Sequence, residues 1–166
     1  MARRAQIIPP RPDLRRKAVN YSKGFDLKLT PAMVEKLEQV VHKARDNFTA
    51  DIAARLVAMR AALREAAESE TDEKDRGVLS AIYADSLEIK GAGGTIGFDL
   101  LTAIGKSLND FVTGLETLDR RRVDIINLHI DALYVVLADN ITGRGGPTEA
   151  AVLRAFSALH QKFRDG

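Results

Sequence analysis

Leu87-Glu88-Ile89-Lys90-Gly91-Ala92-Gly93-Gly94-Thr95-Ile96-Gly97 is the stretch on which the reading of this 166-residue chain turns. It begins as the second half of an amphipathic helix. Val78, Ile82, Ile89 and, past the glycines, Ile96 mark one face, while Leu79, Tyr83 and Leu87 mark an adjacent strip. Gly91, Gly93 and Gly94 then fall within one turn, and each costs about 1 kcal/mol against alanine in an exposed helix interior. Three such residues need a reason. A helix face without side chains admits close approach, either of a neighbouring helix or of a docked partner. Phosphate cradling is a poorer explanation. A dinucleotide fingerprint starting at Gly91 has Ile96 where its last glycine belongs, and no strand precedes it. Gly105-Lys106-Ser107 ends like a P-loop, but Leu100 holds the leading-glycine position and the segment reads as helix.

Helical spacing continues in both directions from this stretch. Thr30-Pro31 is a helix start, with an N-cap hydroxyl followed by proline at the first helical position. Met33, Val34, Leu37, Val40, Val41, Ala44 and Phe48 recur at three- and four-residue intervals, and Ile52, Leu56, Met59 and Leu63 extend the stripe. Spacing leaves open whether Asn47 to Thr49 interrupts it. The polar, mostly acidic run 68–76 suits a connection between antiparallel helices, with part of it available to either neighbour. A third helix from about Phe98 is expected to carry Leu101, Ile104, Leu108, Phe111 and Leu115. A fourth from about Asp119 carries Val123, Ile126, Ile130, Leu133 and Leu137. After a turn containing Gly143, Gly145 and Gly146, a last helix from Pro147 carries Val152, Leu153, Phe156, Leu159 and Phe163. No segment alternates like a strand. The expected architecture is an all-α antiparallel bundle over residues 31–166, preceded by an extended or flexible basic arm over residues 1–30.

Composition narrows the chemistry. The chain contains 45% hydrophobic residues and no cysteine, which fits one packed domain without disulfides, thiolate metal sites or cysteine nucleophiles. No apolar run reaches the roughly 18 residues of a membrane span, and no apolar segment follows the first arginines as in a signal peptide. A soluble cytoplasmic protein is expected. The net charge of +2 conceals an asymmetry: residues 1–30 hold eight Lys or Arg against two Asp, a net +6, so the remainder is −4. Such an arm can attract nucleic acid, anionic lipid or an acidic protein face, and reads equally well as a solvated extension with no specific partner.

The frame Leu87, Lys90, Gly91, Ala92, Gly93, Ile96 and Gly97 resembles the phosphoacceptor motif of the histidine-containing phosphotransfer (HPt) family. In that family the motif is a histidine, then lysine at +3, glycine at +4, small residues at +5 and +6, an aliphatic at +9 and glycine at +10. Every position matches here except the first, where Leu87 replaces the acceptor histidine. The long preceding helix, the acidic connection and the two following amphipathic helices extend the resemblance over roughly residues 32–140. It implies a four-helix bundle of HPt type, with the helix from Pro147 as an addition.

The resemblance also implies a function, altered by the missing histidine. In the family that imidazole takes a phosphoryl group from one receiver-domain aspartate and passes it to another. Leucine has no lone pair, so Leu87 cannot form a phosphoramidate. None of the three other histidines repeats the frame. His42 has Arg45 at +3 but Asp46 at +4 and reads as a solvated surface residue. His129 has Ala132 and Leu133 at these positions and reads as a boundary residue, and His160 lies near a helix C-terminus, where a cation also favours the dipole. The expectation is a non-enzymatic protein needing no cofactor and no metal, whose partner-binding residues are Leu87, Lys90, Gly91, Ala92 and Gly94. Its implied partner is a response-regulator receiver domain or a histidine kinase. An active phosphotransferase using another histidine, or a helical nucleic-acid-binding protein acting through the arm, are the alternatives.

Overall fold

The computed structural model describes residues 30–67 and 71–164; the basic arm up to residue 29 lies outside the described residues. The chain separates into two contact units, Met1–Leu37 and Glu38–Gly166, with the boundary inside the first helix. Among the described residues there are five α-helices: α1 Pro31–Ala67, α2 Asp72–Ala92, α3 Asp99–Val112, α4 Arg120–Ala138 and α5 Pro147–Arg164. A 3₁₀ turn over Gly93–Ile96 joins α2 to α3, and no strand occurs among the described residues. None of the described helices is long and apolar enough to cross a membrane.

Local chemistry sets the ends of these helices. The Thr30 hydroxyl accepts from the Met33 N–H at 3.3 Å, and Pro31 opens α1, which runs unbroken through Asn47 to Thr49. Asp72, Glu73 and Asp75 occupy the first turn of α2, where carboxylates favour the helix dipole. Asp119 caps α4 by accepting from the Arg122 N–H at 2.8 Å. Two sequence expectations need correction. Leu115 lies beyond α3, because the helix stops at Val112 and Gly114 adopts φ +82°, a left-handed conformation that breaks the ladder. Ile96 does not prolong the α-helical face of α2. The ladder tightens to 3₁₀ at Gly93 and ends on Gly97 at φ +83°.

Side-chain pairs fix the antiparallel register. Arg55 on α1 pairs with Asp85 on α2 at 2.8 Å, and Lys74 donates to the Glu65 carbonyl at 2.8 Å, so rising numbers on one helix meet falling numbers on the other. From α2 to α3, the Asn109 side chain donates to Ser86 Oγ at 3.0 Å and to the Tyr83 carbonyl at 3.3 Å. Further along the same interface Gly105 lies against Ile89 and Lys90, and Gly93 against Thr102. Arg60 of α1 pairs with Asp131 of α4. Ile52, Leu56, Met59 and Leu63 of α1 join Ile82 and Ile89 of α2, Leu101, Ile104 and Leu108 of α3, Ile126, Ile130 and Leu133 of α4 and Phe156 of α5 in one buried cluster. Burying each such side chain contributes about 1.5–3 kcal/mol relative to exposure.

The glycines divide between two roles. A Cβ on Gly93 would stand 2.8–3.0 Å from Thr102 Oγ1, Thr102 N and the Phe98 carbonyl, and one on Gly105 would stand 2.9 Å from Ile89 and 3.0 Å from Lys90 N. These two residues let α2 and α3 approach closely. Gly91 is different: a Cβ there would meet nothing within 4 Å.

Candidate partner-binding face on the second helix

The rotation of α2 decides which residues it offers to solvent. Ile82, Ser86, Ile89 and Gly93 point inward at four- and three-residue intervals, and all are buried. Ser86 is the polar member of that row. Its hydroxyl donates to the Tyr83 carbonyl at 2.8 Å and accepts from Asn109, so the buried oxygen is satisfied in this rotation and would lose Asn109 in another. One residue further along, Leu87 is therefore turned outward and is 47% exposed, so it is not a core leucine.

Around Leu87 the surface is low and partly apolar. Tyr83, one turn earlier, is 42% exposed, and Gly91, one turn later, is exposed with open space where a side chain would stand. Leu87, Glu88, Gly91, Ala92, Thr95 and Ile96 line an open depression of about 420 Å³. The structure thus brings Leu87, Gly91 and Ala92 together. Lys90 does not line the depression; it is half-buried, and no carboxylate among the described residues pairs with it. Gly94 is exposed on the 3₁₀ turn, where a Cβ would make only ordinary contacts at 3.5 Å with Thr102 and 3.8 Å with Asp99. Sequence reasoning missed Glu88, Thr95 and Ile96 as lining residues. The signal for Glu88 and Thr95 was the spacing Leu87–Gly91, because a residue adjacent to each on an outward-facing strip borders the same hollow.

None of the three histidines lines this depression. His42 is exposed on α1, as its polar neighbours suggested. His129 departs from expectation: instead of sitting at a boundary it is fully buried. Its Nδ1–H donates to the Ile125 carbonyl at 2.8 Å, which leaves Nε2 to accept from the Ser107 hydroxyl at 3.0 Å. Phe156 stacks on its ring with centroids 3.9 Å apart. Burial lowers the pKa of this imidazole to about 4, the Ile125 hydrogen bond opposes that shift, and His160 nearby adds to it. Both ring nitrogens face protein groups, so neither is open to a phosphoryl donor. His160, near the C-terminal end of α5, is half-buried, its ring stacked 5.1 Å from Phe111 and 5.3 Å from His129. Position 129 was misjudged because the α5 residues that cover it are distant in sequence.

The described residues contain no cluster of three or more histidine, aspartate or glutamate side chains able to hold a metal ion. No protein-family model matches the chain, and neither a curated protein nor a solved structure matches it.

Proposed function

We propose that this chain is a non-catalytic HPt-like protein that binds a receiver domain or a histidine kinase and modulates two-component phosphorelay signalling by occupancy. In this reading α1 to α4 form the antiparallel four-helix bundle, α5 is an addition to it, the basic arm precedes it, and the protein works in the cytoplasm. The observation that carries the proposal is the exposure of Leu87, at the acceptor position of the motif, beside the bare surface of Gly91. A leucine there removes the nucleophile and leaves an apolar anchor, and burying such a side chain against a partner favours association. Lys90 supplies a cation suited to the acidic pocket of a receiver domain. Gly91 and Gly94 allow the partner's backbone to come close.

The experiment is a titration against candidate receiver domains and kinases, using Lys90→Glu and Gly91→Gln as variants. Charge reversal and the added bulk are each expected to weaken binding by about tenfold or more, the effect of losing 1.4 kcal/mol. Unchanged affinity in both variants removes the proposed face.

A further inference from the structure

A larger concavity lies at the opposite end of α2. Asp75, in the first turn of that helix, accepts from the Leu118 N–H at 2.7 Å, which places the α3–α4 connection there, whereas Leu87 is near the helix C-terminus. Between the end of α3, this connection, the start of α4 and α5 is a cavity of about 650 Å³, within the size range of small-molecule sites.

Its wall combines an apolar surface with one fixed cation. Phe111 is flanked by His160, stacked at 5.1 Å, and by Phe163, edge-on at 5.7 Å, and Leu115 continues the apolar lining. Among the described residues, Arg122 is the only lysine or arginine in the wall. Its Nη1 donates to the Thr117 carbonyl at 3.0 Å and to Thr117 Oγ1 at 2.5 Å, and its Nε lies 3.6 Å from Asp119 Oδ2 without a hydrogen-bond partner. The guanidinium is therefore held in place before any ligand arrives, which lowers the ordering cost of using its remaining donors. Asp110, the carboxylate on the rim, is paired with Lys106. Ser157 and Thr113 spend their protons on the Leu153 and Asn109 carbonyls, at 3.1 and 2.7 Å, so toward the cavity their oxygens act as acceptors.

We propose that this cavity binds a small carboxylate bearing an aromatic or branched apolar group. The carboxylate lies against the Arg122 guanidinium and the apolar group against Phe111, Leu115 and Phe163. A hydroxyl or amino group on the ligand would donate to Ser157 or Thr113. The site is at the other end of α2 from the Leu87 face, and it does not depend on the phosphorelay reading.

The test is a titration of the intact chain, followed through its backbone amide resonances, with 3-phenylpropionate, L-phenylalanine and 2-phenylethylamine as probes. Saturable shifts at Gly114, Leu115 and Ser157 are expected with the two carboxylates and not with the amine. Arg122→Gln should weaken 3-phenylpropionate binding by about tenfold or more, as for loss of a charge-assisted hydrogen bond. Ser157→Phe, at an exposed helix position, should do the same by filling the cavity while leaving Arg122 and its loop intact. Shifts that do not saturate, equal binding of the amine, or unchanged affinity in both variants would overturn the proposal.

Discussion

Lowering the pH should unfold this protein earlier than its carboxylates alone would cause, and His129 is the reason. The ring is fully buried, donates from Nδ1 to Ile125 and accepts at Nε2 from Ser107, so it is folded in the neutral state. Its pKa is lowered to about 4, against 6.5 in the unfolded chain. Between these values the unfolded state binds the extra proton and the folded state does not. Stability is therefore fully present above pH 6.5, falls as the pH drops, and levels off again below about pH 4. At about 1.4 kcal/mol per pH unit, the whole interval is worth about 3 kcal/mol, of which about 2 kcal/mol is lost by pH 5. That is a large part of the 5–15 kcal/mol typical of a domain. Urea unfolding followed by circular dichroism at about pH 7.5 and about pH 5 measures it, with His129→Gln as the reference that lacks a titrating ring. The native chain should lose about 2 kcal/mol more than the variant across this interval. An equal loss in both, or an imidazole resonance of His129 that titrates near 6.5, would refute the reasoning.

The glycine assignments predict opposite signs. Gly93→Ala should destabilise the fold by about 1–3 kcal/mol, because its Cβ meets backbone atoms of Thr102 and Phe98, whereas Gly91→Ala should stabilise it by up to about 1 kcal/mol; thermal melts of the two variants distinguish them. Leu87→Ala should change stability by less than about 0.5 kcal/mol, while Ile89→Ala, two residues on and fully buried, should cost about 2–5 kcal/mol in denaturant unfolding. Phe156→Ala removes the ring stacked on His129 and should cost about 3–5 kcal/mol. It should also speed hydrogen exchange in α5, and normal protection of that helix in the variant would show that it is held by other contacts.

Helix identity was legible in the sequence because it rests on local chemistry. The Thr30-Pro31 start, the Asp119 cap and Pro147 at the head of α5 act within one turn, and the three- and four-residue spacing of apolar residues needs no knowledge of what they face. Leu115 and Ile96 were misplaced where a glycine entered the left-handed region, a conformation that sequence spacing does not reveal. The candidate face was legible only as a pattern. Leu87, Lys90 and Gly91 stood out by spacing, but whether Leu87 faced the core or solvent depended on the rotation of α2.

That rotation belongs to the tertiary structure. It follows from Asn109 of α3 reaching Ser86, and from Gly93 and Gly105 bringing two backbones together, contacts between residues 9 to 23 positions apart that no local window contains. His129 makes the same point more sharply: its own helix suggested a half-exposed site, and only Phe156 of α5 and Ser107 of α3 make it a buried, neutral ring. Sequence alone establishes that the side chain at position 87 cannot accept a phosphoryl group, because a leucine carries no nucleophile in any fold. Which side chains are buried, and therefore which surface a partner can meet, is decided by packing among helices that the sequence keeps apart.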